Sequence, residues 1–105
     1  MKVCDLTIAF RGATLEKVAT VIHERIGYRF VPRTSSYLGG DYYFSVNGHE
    51  ETRVHLNRDG EQIAEEEYPE YGVLVQVDSC HDAHRWKSLL SELDGVLIRE
   101  NSYEV

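Results

Sequence analysis

Two cysteines, two prolines, one methionine and one tryptophan are all that the 105 residues hold of these types, and each scarcity excludes something. Cys4 and Cys80 are too few and too far apart in sequence for a disulfide framework, so an ordinary apolar core has to hold the fold. The opening MKVCDLTIAF lacks the long apolar segment of a secretory signal, which makes the cytoplasm the expected location, with both thiols reduced. No uninterrupted apolar run approaches the roughly 18 residues of a membrane-spanning helix. Basic residues are also short. Eleven Lys and Arg against eighteen Asp and Glu give a net charge of −7, which argues against direct binding of nucleic acid, whose phosphates need Lys and Arg. A phosphate loop, a nucleophile elbow and a Rossmann glycine fingerprint are all missing, and Gly39-Gly40 is only a loop signal. No cofactor is implied.

What remains fits one domain spanning residues 1–105, a length that can bury a single core. Cys4, Leu6, Ile8 and Phe10 alternate with Asp5, Thr7 and Ala9, the period of a strand with one buried face. Leu15, Val18, Ile22 and Ile26 make the apolar stripe of a helix, with Thr14 as N-cap and Gly27 as terminator. Tyr28 to Val31 reads as a short edge strand stopped by Pro32. Tyr42–Val46 and Thr52–Leu56 flank Asn47-Gly48 and read as a hairpin, followed by a strand at Val73–Val77. Asp78 or Ser79 then caps a second helix whose stripe is Ala83, Trp86, Leu89, Leu90 and Leu93, and Val96–Arg99 is a last strand before a polar tail. The order predicts an α+β two-layer sandwich: an antiparallel-rich sheet with two helices on one face, ferredoxin-like with additions. Leu6, Ile8, Val18, Ile22, Val75, Trp86, Leu90 and Ile98 are its expected core.

Helices on one face leave the other to the polar strand partners: Asp5, Thr7, Tyr43, Ser45, Arg53, His55, Leu74 and Gln76. Tyr43, Arg53 and His55 form a candidate ligand site there, since His titrates near neutrality and Arg offers a fork of donors. A solvated sheet face with cross-strand ion pairs is the plainer account of the same residues. Asp78-Ser79-Cys80-His81-Asp82-Ala83-His84 holds potential Zn²⁺ ligands but no second half-set, so helix capping explains it better and no metal is expected. Cys80 could be a nucleophile beside His81, although a buried Cys more often acts as a small hydrophobe.

The densest feature is DGEQIAEEEYPEY, residues 59–71, in which Asp59, Glu61, Glu65, Glu66, Glu67 and Glu70 account for all but one unit of the net charge. Such a block repels itself, and a basic surface would relieve it. Tyr68 and Tyr71 flank Pro69 and add amphipathic contact area of the kind enriched at interfaces. Solvated charge that merely keeps a domain soluble is the alternative.

With Leu56-Asn57-Arg58-Asp59, the acidic segment ending Tyr68-Pro69-Glu70-Tyr71, the strand Val73-Leu74-Val75-Gln76-Val77 and a closing Leu97-Ile98-Arg99-Glu100, residues 42–100 loosely resemble bacterial immunity proteins of polymorphic-toxin and contact-dependent-inhibition systems. The resemblance implies a non-enzymatic inhibitor that binds a cognate toxin, often a basic nuclease, and no residue roles transfer with it. On this reading Asp59, Glu61, Glu65, Glu66, Glu67, Tyr68, Glu70 and Tyr71 contact the partner. A small enzyme or ligand-binding domain using Tyr43, Arg53 and His55 is the alternative, and a homo-oligomer joined through that sheet face is a third.

Overall fold

A computed structural model of the chain describes residues 2–38, 40–58 and 62–104, with the side chains of Leu90 and Ser91 outside the description. The expectations placed on Asp59, Glu61, Gly39 and the Leu90 side chain therefore lie outside the described residues. Strand β1 (Lys2–Phe10) leads to helix α1 (Leu15–Ile26). Strands β2 (Val31–Ser35), β3 (Gly40–Asn47), β4 (Glu50–Leu56) and β5 (Val73–Cys80) follow, then helix α2 (Ala83–Leu93) and strand β6 (Val96–Glu104). The described strands form one six-stranded sheet in the order β2-β3-β4-β5-β1-β6, and every adjacent pair is antiparallel. Within it, β6-β1-β5-β4 has the strand order of a split β-α-β pair, the ferredoxin-like arrangement. β2 and β3 widen the sheet beyond it. The fold is the expected α+β two-layer sandwich.

Local chemistry sets the helix ends. The Thr14 hydroxyl accepts the Lys17 N–H at 3.1 Å, and Gly27 takes φ 77° while its N–H donates to the His23 carbonyl. A left-handed C-cap of this kind suits the one residue without a Cβ. α1 packs against β3 and β4, and α2 against β1 and β6. Between helices and sheet lie Leu6, Ile8, Phe10, Val18, Ile22, Val54, Val75, Val77 and Trp86, all buried in one cluster.

Several boundaries differ from the expectation. Pro32 does not stop β2 but lies inside it, opposite Tyr43; β2 is an edge strand, where a residue without an N–H leaves no partner unbonded. Tyr28 is not in a strand: it is buried beside the core, ahead of β2. The hairpin is tighter than five joining residues, because Asn47 pairs with Glu50 and the turn is Gly48-His49, with Gly48 at φ 65°. A single positive φ at the first turn position matches the II′ geometry that suits twisted hairpins. β5 runs through Asp78 and Ser79 to Cys80, so neither caps α2; the Asp82 carboxylate does, accepting the Arg85 N–H at 3.1 Å. The supposed polar tail continues β6 along β1 as far as Lys2–Glu104.

Ile98 is not a core residue. The β1–β6 register shifts between Thr7 and Ile8, pairing Leu97 with Ile8 and Arg99 with Thr7. Leu97 takes the core position, and Ile98 is the residue the bulge leaves over. Cys4 and Cys80, remote in sequence, are direct cross-strand partners and both are buried free thiols.

Candidate functional site

The face opposite the helices is not the solvated surface expected. Ala9, Leu74 and His55 form a register row across β1, β5 and β4, and their exposures are 0%, 0% and 1%. Thr7 on the same face is buried too. Something covers them, and the connector between β4 and β5 is the segment placed to do so. It leaves β4 at Leu56, and the Glu65 backbone N–H stays bonded to Asn57 just past β4 while its carboxylate grips Arg99 of β6, so the Glu65–Arg99 pair reaches over β5 and β1. The described part of the acidic block, residues 62–71, thus forms a strap over this face.

Asn57 holds the strap. Its side-chain Nδ2 donates to the carbonyls of Tyr68 (3.0 Å) and Tyr71 (2.8 Å), and its Oδ1 accepts the Glu65 N–H at 2.8 Å. Its own N–H donates to the Gly72 carbonyl, and its carbonyl accepts from Ala64. Two turns follow, closed by Tyr68 N–H to Glu65 O and Tyr71 N–H to Tyr68 O. One buried amide therefore satisfies the backbone of a segment that has no ladder to join.

Side-chain pairs then fix the strap at both sides. Arg99 binds Glu65 through two parallel bonds of 2.6 and 2.9 Å, and Glu65 is only 13% exposed. This fork raises the Arg99 pKa, first by the hydrogen bonds and then by the charge of Glu65. Arg11, just past β1, pairs with Glu70 at 3.6 Å and lies over the Tyr71 ring at 5.0 Å. The rings of Tyr68 and Tyr71 meet at 6.2 Å. Glu65, Glu70 and Tyr71 are thus engaged within the fold. Glu66 and Glu67 are exposed and have no ion-pair partner among the described residues, Pro69 is exposed, and Tyr68 is half-buried. Beside Tyr71 opens a hollow of about 570 Å³, lined among others by Arg11, Lys17, Glu92 and Asp94.

Tyr43, Arg53 and His55 do not come together. Tyr43 pairs with Val54 and packs against the core on the helix side, while Arg53 and His55 point to the other face. The sequence phase of β3 was one residue off, and Phe44 sits beneath Arg53 instead, 5.4 Å from its guanidinium. Ser45, which pairs with the core-facing Thr52, shares that correction. Arg53 is taken up by Asp78 at 2.9 Å and Glu51 at 3.3 Å, an ordinary cross-strand ion cluster. His55 Nδ1 donates to the Leu56 carbonyl at 2.7 Å, while the buried Nε2 has no well-formed hydrogen bond among the described residues and only the Gln76 side chain near the ring. Burial is the main cause that pushes its pKa below the usual 6.5, helped by the Arg53 charge. A neutral, enclosed imidazole of this kind is not poised to exchange protons with a substrate.

The segment from Asp78 to His84 divides between strand end and helix cap. Among the described residues no group of three or more His, Cys, Asp or Glu is arranged to hold a metal ion. Burial pushes the Cys80 thiol up to about 12, the opposite of an activated nucleophile. The richest polar cluster was not anticipated: buried Glu50 Oε1 accepts from Tyr28 Oη at 2.7 Å and Trp86 Nε1 at 3.3 Å, and Arg85 donates to Tyr28 Oη at 2.6 Å. Burial and then Glu50 push Tyr28 up to about 12. This network ties the hairpin to α2 and to the segment that follows α1, and a Glu opening a strand gave no hint of it.

No protein-family model matches the chain, and no curated protein sequence matches it. No helix among the described residues is long and apolar enough to cross a membrane.

Proposed function

We infer that this chain is a non-enzymatic binding protein that neutralises a basic protein partner, a nuclease-type toxin by the resemblance to immunity proteins, through the outer surface of its acidic strap. The observation that carries this reading is that Asn57 hydrogen-bonds the strap backbone at three points while Glu66 and Glu67 stand exposed on it with no ion-pair partner among the described residues. Carboxylates that no cation grips directly keep an outward field, although the Glu67 charge also acts on Arg99, and such a field speeds encounter with a cationic cleft. A segment already ordered also loses less entropy on docking than a loose loop would. Asp59 and Glu61, also expected at the contact, lie outside the described residues; among the described ones the set is narrower than composition alone implies. Glu66, Glu67, Pro69 and the open side of Tyr68 meet the partner, whereas Glu65 and Glu70 hold the strap down.

The test is association kinetics against the product of the neighbouring reading frame, alongside protection of cells that express it. Changing Glu66 and Glu67 together to Gln should slow association mainly at low salt, because exposed charges are screened beyond about 8 Å at physiological ionic strength. Unfolding should be unchanged. Wild-type association at low salt together with full protection would reduce the strap to a structural cover.

A further inference from the structure

Cys4 and Cys80 lie 76 residues apart in the chain, yet they face one another at the end of the β1–β5 ladder. Directly opposed residues of an antiparallel pair have Cα atoms about 4.5–5.5 Å apart, inside the range of about 4.4–6.8 Å that a disulfide spans. The two residues already touch, since the Cys4 thiol donates to the Cys80 carbonyl at 3.7 Å. Both side chains sit on the helix side of the sheet, with Ala83 of α2 nearby.

The backbone beside the pair is not a rigid ladder. Between Cys4 and Leu6 the register shifts, and Ser79, one of the residues the shift leaves over, takes φ 58°. Its N–H is held by Asp5 Oδ1 at 3.0 Å, which also accepts the Tyr103 hydroxyl at 3.1 Å. A bulge adds local twist and frees the flanking pair from strict ladder geometry. A hollow of about 280 Å³ opens onto the two cysteines, lined also by Lys2, His81, Glu100 and Ser102. Cys4 is the more open of the two, 6% exposed against 1% for Cys80.

We propose that Cys4 and Cys80 are an oxidisable pair, a modification site at which a low-molecular-weight disulfide of the glutathione class closes a bridge between β1 and β5. Cys4 gives up its proton and attacks one sulfur of the reagent RSSR. A Cys4–SR bond forms, the RS–SR bond breaks, and RS⁻ leaves to take up a proton. Cys80 then gives up its proton and attacks the Cys4 sulfur, forming the Cys4–Cys80 bond and expelling the second RS⁻. The two cysteines lose two electrons and two protons, and RSSR becomes two RSH. Entry is at Cys4 because it is the less buried of the two; burial raises the pKa of both thiols, so both steps are slow, and closure through Cys80, pushed up to about 12, is the slower.

The experiment uses the full chain, reduced and then held in graded mixtures of oxidised and reduced glutathione. Samples are acid-quenched, alkylated in denaturant, and read by intact mass and by an unreduced peptide map. Wild type should lose both alkylatable thiols together, fall in mass by two hydrogen atoms, and yield a linked peptide joining residues 4 and 80; dithiothreitol should restore it. Cys80→Ala should stop at a stable glutathione adduct on Cys4, and Cys4→Ala should remain unmodified. Two alkylatable thiols in the most oxidising mixture would overturn the proposal, as would wild-type adducts that never close or bridges formed only between chains. The wild-type map decides the matter by itself if either variant fails to fold.

Discussion

Replacing Asn57 by Ala removes three hydrogen bonds at once, two given to the Tyr68 and Tyr71 carbonyls and one taken from the Glu65 N–H. Each is worth roughly 1 kcal/mol net, and leaving buried backbone groups unmatched raises that figure, so Asn57→Ala should destabilise the protein by about 2–4 kcal/mol. That is a large share of the roughly 5–15 kcal/mol by which domains are stable. Water can reach carbonyls on the outer side of the strap, which sets the low end. Detachment of the strap from the row of Ala9, Leu74 and His55 sets the high end, because uncovering Leu74 alone gives up about 1.5–3 kcal/mol of burial. Asn57→Asp should be no milder at neutral pH. It keeps the acceptor for Glu65 N–H, loses both donors, and adds a charge beside Glu65, Glu66 and Glu67.

Urea denaturation measures the loss, and native-state hydrogen exchange locates it. The Glu65, Tyr68 and Tyr71 amides should lose protection in Asn57→Ala well below the global unfolding free energy, while the β1 and β5 amides follow the global value. A loss under about 0.5 kcal/mol with Glu65 still protected would refute the reasoning, since it would mean that the strap holds without its central amide.

Two further outcomes follow from single side chains. The folded pKa of His55 lies below 6.5, so the unfolded chain takes up a proton first as pH falls; the stability tied to the neutral imidazole is whole above about pH 6.5 and is lost below it. Wild type should therefore lose more stability than His55→Gln between about pH 7.5 and pH 5.5, and parallel losses in urea titrations would show that His55 is not the cause. Thr52 is fully buried with no hydrogen-bond partner for its Oγ1 among the described residues, so Thr52→Val should raise stability by about 0.5–1.5 kcal/mol; a lower urea midpoint would mean that the hydroxyl has a bonded water.

The layer that lies between helices and sheet was legible because periodicity encodes it. Leu6, Ile8, Val18, Ile22, Val75 and Trp86 are buried as their spacing requires. Periodicity fails where the ladder slips. Ile98 loses its place to Leu97 through a bulge that leaves no mark in composition, and a one-residue slip exchanges the two faces. The same sensitivity moved Tyr43 and Ser45 to the helix side. The edge strand was expected and is there, but Pro32 does not end it: at an edge a residue without an N–H can sit inside the strand as well as at its end.

The larger omission was the strap. A run of carboxylates reads as solvated loop, and nothing in DGEQIAEEEYPEY says that it lies across a sheet. The information is held instead in pairs remote from it: Arg99 for Glu65, Arg11 for Glu70, and Asn57 for the backbone between. Arg and Asn at those places are common surface residues, and only their three-dimensional positions give them meaning. Alternation along β1, β4 and β5 likewise placed Thr7, His55 and Leu74 on one face, but whether that face is wet depends on a segment that periodicity does not reach.

If the acidic strap docks a partner as proposed, its second role as a cover links folding to recognition. Carboxylates that merely solubilise a loop gain nothing from being held close to one another, because mutual repulsion opposes any fixed arrangement of them. Here Arg99 and Arg11 offset part of that repulsion from beneath, chiefly at Glu65 and Glu70, while Glu66 and Glu67 stay exposed with no ion-pair partner among the described residues. The outward field is then fixed in direction by inward bonds that a partner never touches. It follows that residues at the contact and residues that set its shape should separate in kinetics. On the proposed function, loss of outward charge slows encounter mainly at low salt, where long-range attraction works, whereas loss of Asn57 weakens the complex at any salt, because the strap would have to be ordered at the moment of binding.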